Sequence, residues 1–88
     1  MIDLRNILAR ELIGLDVLVA DASNPSYRGL SGCIVDETKN MLAIETTSGI
    51  KRIPKPHSIF RFNIKGNRVV EIDGSVFTLA PEKRISLH

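Results

Sequence analysis

The feature that most constrains this chain is a series of short apolar alternations, closely spaced and broken by turn residues. Leu15, Val17 and Val19 alternate with Asp16, Leu18 and Ala20. Over residues 29–37, Leu30, Gly32 and Ile34 fall on one face, and Ser31, Cys33 and Val35 on the other. Met41–Thr47 and Ile50–Pro54 follow. Ser58–Ile64 then sets Phe60, Phe62 and Ile64 against Arg61 and Asn63, and Val69–Ile72 and Val76–Leu79 end the series. Period-two runs of this length predict strands. Ser23-Asn24-Pro25-Ser26, Thr38-Lys39-Asn40 and Ser48-Gly49 punctuate them, and Lys65-Gly66-Asn67 and Asp73-Gly74 carry hairpin signals. The expected fold is therefore mainly β, a small antiparallel barrel, since closing such a sheet hides edges that invite aggregation. Gly32, inside a strand pattern, fits a sharp bend, and Pro54 and Pro56 end a strand or mark an edge.

Outside the strands, Leu4, Ile7, Leu8 and Leu12 recur at helical spacing. They predict a short helix from Asp3 to Leu12, with Asp3 as N-cap and Gly14 just past its end. Pro81-Glu82 can open a final helical turn. With 88 residues there is room for one modest core. The expected organisation is a single domain: a helix over 1–13, a barrel over 14–80 and a tail over 81–88. No apolar run spans a bilayer, no secretory leader is visible, and Cys33 is the only cysteine. Cytoplasmic location is the simplest expectation, with no membrane partner.

Charge is unevenly distributed. Residues 1–48 hold four Lys/Arg against seven Asp/Glu, whereas residues 49–88 hold eight against three. A basic half on a small chain suggests either a polyanionic partner, most commonly a nucleic acid, or simply a solvated, mildly basic surface. Lys51, Arg52 and Lys55 cluster near Ile53-Pro54, Lys65 and Arg68 flank a hairpin, and Arg28 and Lys39 sit in loops. Lys83 and Arg84 lie near the C-terminus. These nine are the candidate RNA contacts, because flexible loop cations neutralise phosphates with little sequence preference. Phe60 and Phe62 share a strand face and read as core. Tyr27 is the best candidate for stacking on a base, with an ordinary packed tyrosine an equal alternative.

No catalytic residues are expected. Asp36 and Glu37 are adjacent, so a strand turns them to opposite faces, and they read as caps for the following turn. Cys33, His57 and His88 lack the spacing of a zinc site. Cys33 reads as a small core residue. Ser26, Ser31 and Ser58 lack the His/Asp context of a triad. Gly29-Leu30-Ser31-Gly32 lacks the spacing and lysine of a P-loop.

Several strings are more specific than their chemistry. They include Glu11-Leu12-Ile13-Gly14-Leu15, Asn24-Pro25-Ser26 and Gly29-Leu30-Ser31-Gly32-Cys33-Ile34-Val35-Asp36-Glu37-Thr38-Lys39-Asn40. Leu42-Ala43-Ile44-Glu45-Thr46, Lys51-Arg52-Ile53-Pro54-Lys55, Phe60-Arg61-Phe62 and Pro81-Glu82-Lys83-Arg84 follow. Together they resemble the archaeal ribonuclease P protein component 1 family, from about Glu11 to Arg84. The resemblance implies an Sm-like barrel, related to SH3-like ones, in the ribonucleoprotein that removes the 5′ leader of precursor tRNA. It implies that the RNA, with Mg2+, carries the chemistry, and that this chain binds no cofactor of its own. It implies ribonuclease P RNA, precursor tRNA through the holoenzyme, and a zinc-ribbon protein subunit as partners. Leu4, Ile7, Leu8 and Leu12 then form either the face for that subunit or a face packed on the barrel. Pro56-His57 departs from the family, which commonly has a smaller residue after Ile-Pro-Lys. Two other readings share the fold: an Sm-like RNA chaperone or ribosome-associated barrel, and an SH3-like adaptor for proline-rich ligands. The scarcity of aromatics makes the adaptor the weakest.

Overall fold

The computed structural model describes residues 12–64 and 68–78. Six strands form one antiparallel sheet: β1 (Asp16–Ala22), β2 (Ser31–Glu37), β3 (Met41–Thr46), β4 (Gly49–Pro54), β5 (Ser58–Ile64) and β6 (Arg68–Asp73). The strand order is β4-β3-β2-β1-β5-β6, so β1 lies inside the sheet and β4 and β6 are its edges. The expected barrel-like β domain is the architecture found.

Alternation sets the core. Val17 and Val19 of β1 turn inward with Ile34, Leu42, Ile44, Ile53, Phe60, Phe62 and Ile72. The sheet curls around them. Register shifts between Val19 and Asp21 and between Ile34 and Asp36 place irregularities in β1 and β2. Such bulges bend a strand and increase its twist. Gly32 serves the curl by close approach: a Cβ there would stand 1.9 Å from the Glu45 carbonyl oxygen. The β3–β4 turn ends on Gly49, whose φ of 105° favours glycine.

The chain departs from expectation after β6. Asp73-Gly74 does not turn a hairpin, and the described part of the strand expected over Val76–Leu79, residues 76–78, is not extended. Residues Gly74–Thr78 form a 3-10 helix instead. The Asp73 carboxylate accepts the Ser75 amide at 2.9 Å, which starts the turn. Phe77 is drawn inside, its ring 5.8 Å from Phe62 edge-on and 6.4 Å from Phe60. A buried aromatic cluster outweighs the weak strand tendency of a four-residue run. Gly74 presses against β4's exit, where a Cβ would meet the Lys55 carbonyl oxygen at 1.9 Å. The 3-10 helix thus carries the chain from the β6 edge back to the end of the β4 edge.

The helix expected over residues 3–12 lies outside the described residues, except for Leu12. The turn 65–67 and the helical turn expected at Pro81 lie outside them as well. Gly14 has a left-handed φ of 96°, in a turn that the Leu15 amide closes on the Leu12 carbonyl at 3.1 Å. It then joins the sheet, donating to the Ile34 carbonyl at 2.8 Å.

Candidate nucleic-acid interface

The expected cations do not form one surface. Arg52 is exposed on β4, an edge strand, and Lys51 beside it is half-buried. The β2–β3 turn, with exposed Lys39, meets the end of the same edge: Met41 pairs with Pro54, and the Lys55 amide donates to the Asn40 carbonyl at 2.7 Å. Lys39, Lys51 and Arg52 therefore border one cationic edge. Exposed Ile50 on the same strand adds an apolar group that a count of charges does not reveal.

Arg68 is exposed at the start of β6, on the other edge, and so stands apart from that group. Arg28 lies in the β1–β2 loop. Its Nε donates to the Ala22 carbonyl at 3.0 Å and faces the Asp21 carboxylate at 2.9 Å. The side chain is still 53% exposed. Lys65, Lys83 and Arg84 lie outside the described residues, as do Leu4, Ile7 and Leu8.

Lys55 corrects the sequence reading. Its side chain is 1% exposed, and its Nζ donates to Glu37 Oε2 and to the Phe77 carbonyl, both at 2.7 Å. A lysine so placed cannot meet a phosphate. The reason is parity: period two puts Lys51, Ile53 and Lys55 on one side, and Ile53 is fully buried. Glu37 corrects a second expectation. It does not cap the turn after β2; the Thr38 hydroxyl does, accepting the Met41 amide at 3.1 Å. Glu37 instead takes the Leu12 amide on Oε1 at 3.1 Å and Lys55 on Oε2. One ion pair so joins the segment entering β1, the end of β2, the exit of β4 and the 3-10 helix. Leu12 is fully buried in the core, which removes it from any exposed partner face.

The two phenylalanines of β5 lie where their shared strand face places them. Phe60 and Phe62 are buried. Tyr27 is half-buried and packs against the core from the 3-10 turn Pro25–Tyr27, which the Asn24 carboxamide caps by accepting the Ser26 amide at 3.0 Å. Cys33 is partly exposed on β2 rather than in the core. A shallow cleft of about 510 Å³ on the outer sheet face is lined by Asp16, Leu18, Ser31, Arg61, Asn63 and Val69, among others. Arg61 is engaged there by Glu71, with Nε to Oε2 at 2.9 Å. Among the described residues, no group of three or more His, Cys, Asp or Glu is placed to hold a metal ion. Nor, among them, is any helix long and apolar enough to cross a membrane. The arrangement presents cations, apolar edges and shallow clefts, which suit binding.

Comparison with known proteins agrees with this geometry. The family profile described as "Ribonuclease P/MRP, subunit p29" matches residues 5–87. The chain is 43% identical to ribonuclease P protein component 1 of Methanothermobacter thermautotrophicus over 86 residues, covering 97% of this chain and 92% of that protein. The protein of the same name from Methanocaldococcus jannaschii is also 43% identical over 86 residues, 97% of this chain and 90% of its own length. Among solved structures, Mth11, described as a homologue of the human RNase P protein Rpp29, superposes with a TM-score of 0.58 at 42% identity, covering 86% of this chain and 99% of its own. With strand architecture, motif strings and near full-length identity in agreement, the chain belongs to the ribonuclease P/MRP subunit p29 family.

Proposed function

We propose that this chain is an RNA-binding protein subunit of ribonuclease P, supporting the RNA that removes the 5′ leader of precursor tRNA. The family match over residues 5–87 carries the reading. The cationic edge at Lys39, Lys51 and Arg52 supplies its physics. Each phosphate these side chains neutralise releases condensed counterions, so affinity falls with salt by a slope of about 0.7–0.9 per phosphate. Such contacts fix position on a folded RNA without reading sequence. Arg28 and Arg68 add separate points of contact, and Lys65, Lys83 and Arg84 extend the basic set. In this reading bond cleavage belongs to the RNA and its own Mg2+.

A zinc-ribbon subunit is the proposed protein partner. Leu4, Ile7 and Leu8 remain its proposed contacts, and exposed Ile13 and Val35 lie where the chain enters the sheet beside β2. The test is reconstitution. Precursor-tRNA processing at low Mg2+ is expected to fall when this chain and its partner are omitted together. Equal activity across a full Mg2+ titration would sink the proposal. Mass in solution separates it from the chaperone reading: a one-to-one complex with the zinc-ribbon protein supports the subunit, and a six- or seven-membered ring of this chain alone opposes it.

A further inference from the structure

We infer that the loop end of the barrel near Tyr27 and His57 is a pocket for one unstacked RNA nucleotide. The inference rests on the RNA-binding reading above and adds a place where a base, rather than backbone charge alone, is held.

Two loops build the pocket. The β1–β2 loop and the β4–β5 turn are locked together by the Ser23 amide donating to the His57 carbonyl at 3.1 Å. The Ser58 hydroxyl closes the turn on the Pro54 carbonyl at 2.7 Å. Between the loops lies a slot of about 170 Å³ with mainly apolar walls, lined by Ala22, Asn24, Tyr27, Pro54, Pro56 and His57. That is below the ~300–1,000 Å³ of a drug-sized site and suits a single ring system. Tyr27 is half-buried and packs against the core. An anchored aromatic that lines a slot together with Pro54 and Pro56 offers a stacking surface that tolerates any base.

His57 is exposed and holds a φ of 63°, a conformation that residues other than glycine seldom adopt. It lines both the slot and an adjoining cleft of about 370 Å³. Arg28 lines that cleft too. Asp21 and the Ala22 carbonyl hold its guanidinium by Nε, and its two terminal amino groups have no partner among the described residues. A guanidinium fixed along one edge presents its fork at the other, the geometry that grips phosphate oxygens. Asp21 and Asp73 border the same cleft, so a phosphate is admitted only on the Arg28 side. The base occupies the slot, and its phosphate lies on Arg28. The anion-ready fork beside the slot favours a nucleotide over a proline-rich peptide.

The experiment uses the full chain and ribonuclease P RNA carrying 4-thiouridine. Irradiation is expected to crosslink Tyr27 or His57 to a uridine unpaired in the RNA. Arg28→Gln and His57→Asn are each expected to lower affinity about 5- to 30-fold and to remove protection of that nucleotide. Asparagine tolerates the left-handed backbone at 57, and Arg28 makes an exposed ion pair and one bond to the Ala22 carbonyl, so both variants should remain folded. If both fold and bind with the parent's affinity and footprint, the pocket holds no nucleotide, while the parent's own binding keeps the wider reading standing. A proline-rich peptide that shifts the Tyr27 and His57 resonances, where the RNA does not, would overturn the inference. If the parent does not bind the RNA at all, both readings fall together.

Discussion

Five consecutive residues, Lys51-Arg52-Ile53-Pro54-Lys55, contain two regions with opposite fates. Lys51 and Arg52 ride an edge strand where water and a polyanion can reach them. Lys55, one residue past that strand, is enclosed and bound by a carboxylate and a carbonyl. A charge count treats the three alike. The structure separates Arg52 from Lys55 by side-chain parity, and separates half-buried Lys51, which shares the parity of Lys55, by what lies opposite: Glu37 and the Phe77 carbonyl hold Lys55 alone, and solvent faces Arg52. Basic composition therefore divides into a binding contribution and a folding contribution, and substitutions can measure each.

The sharpest break in that comparison is Lys55→Met. It removes one partner from a buried pair and takes the Lys55 cation away from the Glu37 carboxylate, which costs about 3–5 kcal/mol. Urea unfolding should show this as a lower midpoint. Binding of RNA by the fraction that stays folded should match the parent. Adding Glu37→Gln should recover part of the stability, because the remaining group is neutral and its amide oxygen can still accept the Leu12 amide. Full parental stability in Lys55→Met alone would mean that the pair does not hold the junction.

Gly74→Ala tests the same junction through shape. A new Cβ would overlap the Lys55 carbonyl oxygen at 1.9 Å and the Phe60 ring at 2.7 Å. Backbone must move, at a cost of about 1–3 kcal/mol. Thermal unfolding reads the change. An unshifted midpoint would show that the 3-10 helix can slide off the end of β4 without cost.

On the binding side, Lys51→Gln with Arg52→Gln should leave stability within about 0.5 kcal/mol. The slope of log affinity for RNA against log salt should become shallower by about 0.7–0.9 for each phosphate that is no longer neutralised. An unchanged slope would remove the β4 edge from the interface and shift attention to Arg28, Arg68 and the basic residues beyond the described segments.

These contrasts show what is legible in the sequence. The strands announce themselves because alternation and turn chemistry are local: β1 through β6 fall on the predicted runs, and Gly32 marks a close approach. The inward place of Phe60 and Phe62 follows from the same parity. What escapes the sequence is non-local. The run 76–79 reads like a strand, but the fate of its described part, 76–78, depends on the place Phe77 takes beside Phe60 and Phe62, which no local pattern reports. Lys55 reads as a surface cation because lysine usually is one. Its parity with Ile53 points inward, yet the acid that makes burial tolerable stands eighteen residues away. Glu37 misleads for the same reason, since adjacency to a turn suggests a cap. At the candidate site, the cationic edge is legible as composition, whereas its separation from Arg28 and Arg68 depends on strand order.

Arg61 gives the smallest effect and marks the boundary between the two regions. It sits on β5 opposite Glu71 of β6, exposed, with Nε 2.9 Å from Glu71 Oε2. Unlike Lys55 it is hydrated, and unlike Arg52 its charge is already matched. Exposed pairs are worth about 0.2–1 kcal/mol because water screens them and two long side chains must be ordered. Arg61→Gln should therefore lower stability by no more than that and leave the salt slope unchanged, because Glu71 takes both Nε and a terminal amino group of Arg61, unlike Arg28, and a cation so matched displaces few counterions from RNA. Glu71→Gln should have the opposite character: the same small drop in stability, but a tighter, steeper salt-dependent affinity as Arg61 is freed. Measuring both slopes beside the parent checks this. If Arg61→Gln weakens RNA binding as much as Arg52→Gln does, pairing does not withdraw a surface cation from the interface, and exposure alone decides which cations bind.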